Sequence, residues 1–334
     1  MPYKSVSKVR SIVVGCVIGC FVLSEGRAAE QPKDFYEKKT INLYIGFAPG
    51  GSYDFYARLF ARYMGRYIPG NPTIVVHTMG GAGSLQAANF LFNVAPKDGT
   101  ALGVVTQTLM LEEAMNSPGV KYKSSDFHWI GRMTAVLETM IISGNAKAKT
   151  IEDVRLFETT TAGTGPGSPS EGYPRLLNAF AGTKYKVISG YQSSAHAMVA
   201  LEAGEVESLE VSYNTIVRTK ADWLKSGKIK VVAQAALERS PDLPDVPTLV
   251  ELGQTTRAKA ALAFYTSAAA VSRSIIATPG IPEDRVRALR NAFNAVQKDP
   301  EFLAEIAKTN SEFDPASGEY LQELALKIAA TPQD

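Results

Sequence analysis

Hydrophobic positions follow two alternating spacings along the chain. Short continuous apolar runs, such as "INLYIGF" (residues 41–47) and "IKVVAQA" (229–235), have the length and β-branched content of buried strands. Between these runs, apolar side chains recur every three or four residues, as at Tyr56, Phe60 and Tyr63, which is the spacing of one helix face. This alternation predicts an α/β fold with mainly parallel sheets.

The same criteria place further elements along the chain. Strands are predicted at residues 73–78, 100–106, 136–143, 185–191 and 206–211. Helices are predicted to begin at Thr150 and near Pro282, Pro300 and Ser317. Asp54 and Ser84 are the predicted N-caps of the helices that follow the first two strands. The prolines of "RSPDLPDVPTL" (239–249) predict an extended surface connection.

Two glycine-rich turns, "FAPGGSYD" (47–54) and "AGTGPGSPSE" (162–171), each lie between a predicted strand and a predicted helix. Glycine lets the backbone approach a ligand closely, and the helix that follows directs its unpaired N–H groups into the turn. Such a turn is suited to binding an anion. Because α/β sheets bind ligands at the carboxyl ends of their strands, we expect the two turns to form opposite walls of one cleft.

Residues 1–28 have the features of a secretory signal peptide. Lys4, Lys8 and Arg10 precede the apolar run "SIVVGCVIGCFVL", which is too short to span a membrane, and small residues fit cleavage after Ala28. This predicts a periplasmic protein. The alternative is a lipoprotein site at Cys20, but the apolar run continues past that cysteine, which favours a soluble exported product.

The net charge and the cysteine content both differ when residues 1–28 are excluded. That segment carries four of the 35 Lys and Arg side chains and one of the 33 Asp and Glu side chains, so the remainder has a formal net charge of −1. The sequence shows no cluster of basic residues of the kind that binds nucleic acid, so nucleic acid is not expected as a partner. Both cysteines, Cys16 and Cys20, lie in the segment, so the exported product is predicted to have no disulfide and no thiolate metal site.

Catalytic motifs are weak in this sequence. Neither glycine loop has the G-x-G-x-x-G or G-x-x-x-x-G-K-[ST] spacing of a nucleotide site. "SPSEG" (168–172) is not a G-x-S-x-G nucleophile elbow, and the histidines, His77, His128 and His196, lie in three separate segments. An exported hydrolase that depends on His196 or Ser170 remains an alternative.

Five segments together resemble one family of solute receptors. They are "GFAPGGSYDFYARLFARYM", "GGAGSLQAANFLFNVAPKDGT", "GTGPGSPSEG", "ERSPDLPDVPTLVELG" and "ATPGIPEDRVRALRNAFNAVQKDPEF". Their order and spacing are similar to those of the tripartite tricarboxylate transporter solute receptors, the Bug family. The resemblance runs from about Ile41 to the C-terminus.

The resemblance implies a two-lobed periplasmic binding protein of type II, the Venus-flytrap fold, in which each lobe is a mixed or parallel sheet flanked by helices. The first lobe is expected to comprise residues 29–140 and about 236–334, and the second about 141–235. The strand that returns to the first lobe is either "IKVVAQA" or "SIIATPG". Such receptors close around a small carboxylate and hold it with backbone amides and ordered waters.

The ligand-binding positions implied by the resemblance fall in loops of both lobes. They are Phe47, Pro49, Gly50, Gly51, Ser52, Tyr53 and Asp54 in the first loop; Gly81, Ala82, Gly83 and Ser84 in the second; and, in the other lobe, Gly165, Gly167, Ser168, Ser170, Tyr191, Ser193, Ser194 and Asn214. The expected role of Asp54 is to hold the first loop in shape, because its carboxylate would repel an anionic ligand.

This sequence departs from the family pattern at two turns. Thr78-Met79-Gly80 replaces a common Asn-Arg-Pro, and Gln192-Ser193-Ser194 replaces a common Lys-Gly-Ser after the tyrosine, so both loops are less positive. The ligand of a better-known member therefore does not transfer directly. Tyr53 is expected to narrow the pocket or to stack on an aromatic acid.

The expected function is capture of a small mono- or dicarboxylate by a non-catalytic, monomeric receptor that needs no cofactor or metal. The resemblance implies delivery to a carrier made of one large and one small integral membrane subunit. The alternatives are a sensor subunit that signals its liganded state to a partner and, with less support, the exported hydrolase.

Overall fold

Two mixed sheets organise residues 31–309 and 311–330, which with Met1 are the part of the chain that the computed structural model describes. The predicted signal peptide, beyond Met1, and the lipoprotein alternative at Cys20 lie outside these residues. The strands are β1 Thr40–Ile45, β2 Thr73–Thr78, β3 Ala101–Val104, β4 His128–Arg132, β5 Glu138–Ser143, β6 Thr159–Gly163, β7 Tyr185–Ser189, β8 Ser208–Ser212, β9 Ile229–Ala235, β10 Ser274–Ala277 and β11 Ala316–Ser317.

Helices connect the strands and flank both sheets. They are α1 Pro32–Tyr36, α2 Ser52–Met64, α3 Leu85–Asn93, α4 Leu109–Ala114, α5 Ile151–Leu156, α6 Pro169–Ala181, α7 Ser194–Ala203, α8 Tyr213–Lys225, α9 Leu249–Leu252, α10 Thr256–Thr266, α11 Glu283–Val296, α12 Pro300–Lys308 and α13 Gly318–Ala329. Among the described helices, none combines the length and the apolar character needed to cross a bilayer.

Five strands are arranged in the same way in the two sheets, and β11 adds a sixth strand at one edge of the first sheet. The first runs β11-β4-β10-β3-β1-β2 and the second β7-β6-β8-β5-β9. In the first, β1 pairs parallel with β2 and β3, and β10 joins antiparallel beside β3. In the second, β6 pairs parallel with β7 and β8, and β5 joins antiparallel beside β8. Each sheet therefore contains a parallel trio with an antiparallel strand beside it. Beyond that strand, β4 and β11 extend the first sheet and β9 extends the second. The predicted α/β class with mixed sheets is confirmed.

Apolar side chains cover both faces of each sheet. In α2, Tyr56, Leu59, Phe60 and Tyr63 fall on one stripe and pack against β1 together with residues of α11 and α12. Residues of α3, α4 and α13 form a second cluster on the other face of the first sheet. The second sheet is covered by α6, α9 and α10 on one side and by α7 and α8 on the other.

The chain crosses between the sheets twice in the described region. The first crossing joins β4 to β5, and the second joins α10 to β10. The lobe boundaries near residues 140 and 235 remain a prediction. Because Leu249 and Leu262 pack in the cluster that covers the second sheet, we propose that the second lobe extends to about residue 271 and that "SIIATPG" is the returning strand.

Candidate functional site

A cavity of about 50 Å³ lies between the two sheets, where the strands of both end. One water needs about 10–15 Å³ by this kind of measure, so the space holds only a few waters. The predicted site residues that line it are Phe47, Gly51, Ser52, Tyr53, Ser170, Ser193 and Ser194. The lining residues that the sequence analysis did not single out are Glu138, Thr164, Pro169, Leu209, Glu210, Val211, Ser212, Thr215 and Arg273.

Four helices begin at this cavity. The first turns of α2, α6, α7 and α8 contribute Ser52, Ser170, Ser194 and Thr215 to its lining. Within the described residues, the backbone N–H groups of Ser52 and Ser194 donate to no protein acceptor. Since a helix N-terminus carries unpaired donors and about half a positive charge, this arrangement attracts an anionic group.

The first loop owes its shape to Gly50 and Asp54. Gly50 has a φ of 93°, a conformation in which glycine is favoured, and its N–H donates to Oδ2 of Asp54 at 3.1 Å. Gly51, not Asp54, is the N-cap of α2, so the predicted capping position is wrong. Asp54 is the third residue of the helix, and its carboxylate reaches back to the loop and also accepts from Nε of Arg58 at 2.6 Å. Both contacts are consistent with the expected role of Asp54 in holding the loop.

Serine hydroxyls brace the opposite wall. Ser170 Oγ accepts from the Thr164 N–H at 2.9 Å and lies 3.0 Å from the Ser168 hydroxyl. Ser193 is the N-cap of α7, and its Oγ accepts from the His196 N–H. The same Oγ donates to the Pro49 carbonyl at 3.5 Å, so it also joins the two walls. Pro49 thus borders the cavity without lining it.

The remaining predicted loops meet each other instead of lining the cavity. A Cβ on Gly83 would lie 2.3 Å from the Pro166 carbonyl oxygen, and one on Gly165 would lie 2.6 Å from the Gly83 nitrogen. Gly167 accepts a hydrogen bond from the Thr108 hydroxyl across the same boundary. These glycines therefore permit backbone contact between the two halves of the molecule. Gly81 and Ala82 precede this contact in the same turn.

Ser84 does not cap α3 with its side chain. It is fully buried, and its Oγ accepts from the Thr106 N–H at 3.0 Å, which ties the second loop to the end of β3. Ser84 is therefore the N-cap residue of α3 as predicted, but its hydroxyl serves the end of a neighbouring strand instead of the helix.

Tyr191 and Asn214 lie beside the cavity lining rather than in it. The Tyr191 hydroxyl donates to Glu205 at 3.4 Å on the exposed side of the second sheet. Asn214, in the first turn of α8, lies near the Glu312 carboxyl of the other half of the molecule and partly offsets the rise in its pKa. Both side chains thus serve other contacts.

Arg273 is the main charged group that sequence reasoning missed. It is 3% exposed, and its Nη1 donates to Glu138 Oε1 at 2.9 Å and to Gln107 Oε1 at 2.8 Å. Its Nη2 donates to Ser52 Oγ at 2.6 Å, and its guanidinium lies 4.2 Å from the centre of the Tyr53 ring. Arg273 therefore connects the first turn of α2 with the first residue of β5.

A second buried carboxyl, Glu210 on β8, lies beside this pair. Burial, with a smaller contribution from the charge of Glu138, raises the pKa of Glu210 well above its ordinary value. For Arg273, burial is the largest single effect and lowers the pKa, but Glu138, Tyr53 and Glu210 together outweigh it, so the net pKa is raised. The cluster therefore combines an Arg273–Glu138 ion pair with a second carboxyl, Glu210, whose raised pKa favours its protonated form.

The sequence did contain a signal for these residues. Glu138 and Glu210 interrupt the apolar runs "VLETMIIS" and "VESLEV", and Arg273 immediately precedes "SIIATPG". A charged residue inside a strand that is buried on both faces requires a partner. Because the partners are distant in the chain, the spacing alone does not identify the triad.

The ring of Tyr53 is already packed on protein. Phe47 stacks on it at 4.6 Å between centroids, and Arg273 lies over the ring. Its hydroxyl accepts from the Gln107 N–H at 3.1 Å, and burial raises its pKa to about 12. This packing narrows the cavity and leaves little of the ring to stack on an aromatic ligand.

Groups suited to catalysis or metal binding are sparse in this region. The Ser170 hydroxyl bonds to Thr164 and Ser168, and Nδ1 of His196 lies 3.4 Å from the Ser193 hydroxyl. No cluster of three or more His, Cys, Asp or Glu side chains able to hold a metal occurs within the described ranges. The chemistry that the cavity offers is hydrogen bonding and charge complementarity.

Sequence comparison identifies one family. Residues 57–330 match the profile described as "Tripartite tricarboxylate transporter family receptor". A curated relative, the UPF0065 protein in the TAR-I ttuE-ttuC' intergenic region of Agrobacterium vitis, is 31% identical over 237 residues. The match covers 67% of this chain and 64% of that relative, so it spans slightly less than two thirds of the relative's length.

Solved structures of similar fold include two binding proteins. The periplasmic binding protein BugD superimposes with a TM-score of 0.69 at 24% identity, covering 88% of this chain and 95% of BugD. MatC from Rhodopseudomonas palustris, whose structure holds malate, gives a TM-score of 0.67 at 21% identity over 87% of this chain and 96% of MatC. At these identities, the likeness shows a shared fold.

Proposed function

Because the chain belongs to the tripartite tricarboxylate transporter receptor family, we propose that it captures a small organic carboxylate in the cavity between its two sheets. The observation that carries this proposal is the convergence of four helix N-termini on one buried cavity. A carboxylate placed there accepts charge-assisted hydrogen bonds from backbone amides. The malate held by MatC, which has the same fold, is a ligand of this class.

The predicted binding residues divide into two roles in this proposal. Ser52, Ser170 and Ser194 present amides or hydroxyls to the ligand. Gly83, Gly165 and Gly167 bring the two halves into contact and so close the site. Closure matters because hydrogen bonds to a carboxylate strengthen when water is excluded.

The remaining parts of the proposal concern the cellular setting. The protein is exported to the periplasm with cleavage after Ala28, acts as a monomer without catalysing a reaction, and passes its ligand to one large and one small integral membrane subunit. Support comes from the family match and from the signal-like sequence of residues 1–28.

The first test is a thermal-shift screen with organic acids and their amides. A ligand at a hundred times its dissociation constant stabilises the folded state by about 2.7 kcal/mol. We expect at least one acid to raise the melting temperature while its amide does not. Equal shifts from an acid and its amide would contradict carboxylate capture.

The second test removes one amide donor. Ser194 is the first residue of α7, a position that accepts proline, so Ser194→Pro deletes its N–H while the helix stays compatible. We expect Ser194→Pro to weaken binding of the acid about tenfold relative to Ser194→Ala, which keeps the N–H. Thr256→Pro makes the same change at the start of α10, away from the cavity, and is expected to leave affinity unchanged. Equal affinities of Ser194→Pro and Ser194→Ala would exclude this amide as a ligand contact.

A further inference from the structure

The cavity contains more carboxyl groups than basic groups. Glu138, Glu210 and Arg273 line it, and among the described lining residues Arg273 is the only Lys or Arg. Resting on the proposed function, we propose that the ligand is a zwitterion, whose carboxylate lies at the helix N-termini and whose ammonium group binds Glu210.

Sheet register places the two carboxyls together. Met140 pairs with Glu210 across β5 and β8, while Glu138 pairs with Ser212. Because Glu138 and Met140 point to the same face of β5, Glu138 and Glu210 are diagonal neighbours on one face of the sheet. They are 2% and 7% exposed, and the Glu138 carboxyl is close enough to contribute to the raised pKa of Glu210.

Arg273 forms an ion pair with Glu138, and most of its remaining contacts are to other protein groups. Nη1 binds Glu138 and Gln107, Nη2 binds Ser52, and the guanidinium lies over the Tyr53 ring. Glu138 therefore has a cation of its own, whereas Glu210 has none within the described part of the chain. A cation supplied by the ligand completes the charge balance.

The backbone conformation of Arg273 indicates that its contacts in the cavity hold it in a fixed position. Arg273 has a φ of 50°, in the left-handed region that side chains other than glycine, asparagine and aspartate seldom adopt. Such strain persists where surrounding contacts over-determine a residue, and it occurs often at binding sites. Here those contacts are the ion pair to Glu138 and the hydrogen bond to Ser52.

Without a cation beside it, Glu210 has a raised pKa, which favours its protonated form. The titratable and charged groups that influence it are Glu138 from β5, Arg273 from the second crossing, and the tyrosines Tyr53, Tyr173 and Tyr265 from α2, α6 and α10. An ammonium group at Glu210 favours the ionised carboxylate, so binding releases the proton to solvent. A second ligand carboxylate at this position would instead meet the repulsion of Glu138, which distinguishes a zwitterion from a dicarboxylate.

The test compares matched ligands by titration calorimetry on the protein beginning at residue 29. The panel is the standard protein amino acids, β-alanine and γ-aminobutyrate, each beside the acid that lacks its amino group. We expect at least one zwitterion to bind at least about tenfold more tightly than its deaminated acid. Titrations in buffers of different ionisation enthalpy should show net release of protons when the zwitterion binds.

Glu210→Gln isolates the proposed contact. It keeps a neutral side chain of the same shape, so we expect it to weaken zwitterion binding at least about tenfold and to abolish proton release, while the deaminated acid is unaffected. Glu112→Gln is the matched control, since Glu112 is also a buried carboxyl with a raised pKa but lies outside this cavity. It should change neither quantity.

The outcomes separate this inference from the proposed function. Equal or tighter binding of the deaminated acid would overturn the zwitterion and leave the carboxylate receptor intact. Binding by no zwitterion of the panel, while simple acids bind, would do the same. No binding of any carboxylate in the panel would overturn both.

Discussion

At the scale of single residues, the ion pair between Arg273 and Glu138 is the contact that joins the parts of the cavity. Both side chains are about 3% exposed, and the guanidinium also holds Ser52 in the first turn of α2. A buried ion pair costs desolvation of both charges, so it adds little net stability, but removal of one partner leaves the other charge buried alone. The pair therefore fixes the geometry of the site.

Arg273→Ala is expected to lower the free energy of unfolding by about 3–5 kcal/mol, because it leaves Glu138 as an uncompensated buried charge. Chemical denaturation measures this change. Lys186→Ala is the control, since it removes a cation from an exposed pair with Glu158, where the expected loss is at most about 1 kcal/mol. Similar losses in the two variants would contradict the importance assigned to the buried pair.

Stability is expected to fall as pH rises through the neutral range. Burial raises the pKa of Glu312 to about 7 and that of Glu210 well above its ordinary value. In each case the folded state binds a proton that the unfolded state has released, so the contribution to stability is complete below about pH 4 and is lost as pH passes the folded-state pKa.

Denaturation of the unliganded protein between about pH 5 and about pH 8 tests this sign. Glu210→Gln and Glu312→Gln should each flatten the decline, because glutamine does not titrate. The difference from wild type cancels the contributions of other groups. A decline as steep in both variants as in wild type would show that neither carboxyl is responsible.

Residue roles were predictable from the sequence where they depend on local chain geometry. Gly50, Ser52, Ser170, Ser193 and Ser194 lie at strand-to-helix turns, and the turns are visible as glycine and serine clusters between periodic segments. The Arg273, Glu138 and Glu210 cluster was not predictable in this way. The register of β5 and β8 brings Glu138 and Glu210 together, whereas Arg273 precedes β10 of the other sheet and reaches Glu138 across the two halves.

At the scale of elements, the start of α2 depends on a carboxylate placed three residues inside the helix. Asp54 accepts from the Gly50 N–H and from Arg58, so it fixes the turn before the helix without contacting the cavity. Its effect on a ligand is therefore exerted through the loop.

Asp54→Ala is expected to lower the free energy of unfolding by about 1–3 kcal/mol and also to weaken ligand binding, because the loop loses its brace. Denaturation and calorimetry measure the two effects. Asp153→Ala removes a similar carboxylate that accepts from the Thr150 N–H at the start of α5, away from the cavity, and should leave affinity unchanged. If Asp54→Ala binds ligand as wild type does, the bracing role is wrong.

Most elements were predicted to within a few residues because their periodicity is strong. β2 and β9 match the predicted ranges, and α12 begins at Pro300 as expected. β4 was missed because "HWIGR" mixes polar and apolar side chains, and its position beside β10 comes from tertiary pairing. α10 was missed because its apolar residues do not form a clear stripe.

At the scale of the whole molecule, the two halves meet through backbone atoms. Gly83 lies against the Pro166 carbonyl, and the Ala48 N–H donates to the Gln192 carbonyl at 3.2 Å. The two contacts lie on loops around the cavity, so closure is sensitive to any added side chain atom at Gly83.

Gly83→Ala is expected to weaken ligand binding at least about tenfold, because the added Cβ would lie 2.3 Å from the Pro166 oxygen and disfavour the closed form. Gly280→Ala is the control. Gly280 has a similar φ of 79°, against 62° for Gly83, but no heavy atom within 4 Å of an added Cβ. It carries the backbone strain without the clash. Equal affinities in the two variants would exclude the closure contact.

The overall architecture was more predictable than its subdivision. The alternation of strands and helices predicts an α/β fold, and the two mixed sheets confirm it. The sequence did not identify the strand that returns to the first sheet. Both "IKVVAQA" and "SIIATPG" are short apolar runs that suit a central strand equally well. Only pairing in the folded state, β9 with β5 and β10 with β3, distinguishes them.

The Ala48–Gln192 hydrogen bond affects how fast a ligand exchanges between the cavity and the solvent. Phe47, Ser52, Ser193 and Glu210 in the cavity lining are each at most 7% exposed, so we expect a ligand to enter or leave after the halves separate and this bond breaks. Motions of this size take microseconds to milliseconds. The observed rate of association should therefore rise with ligand concentration and then level off at the frequency of opening, and the dwell time of a bound ligand should be set by the same step.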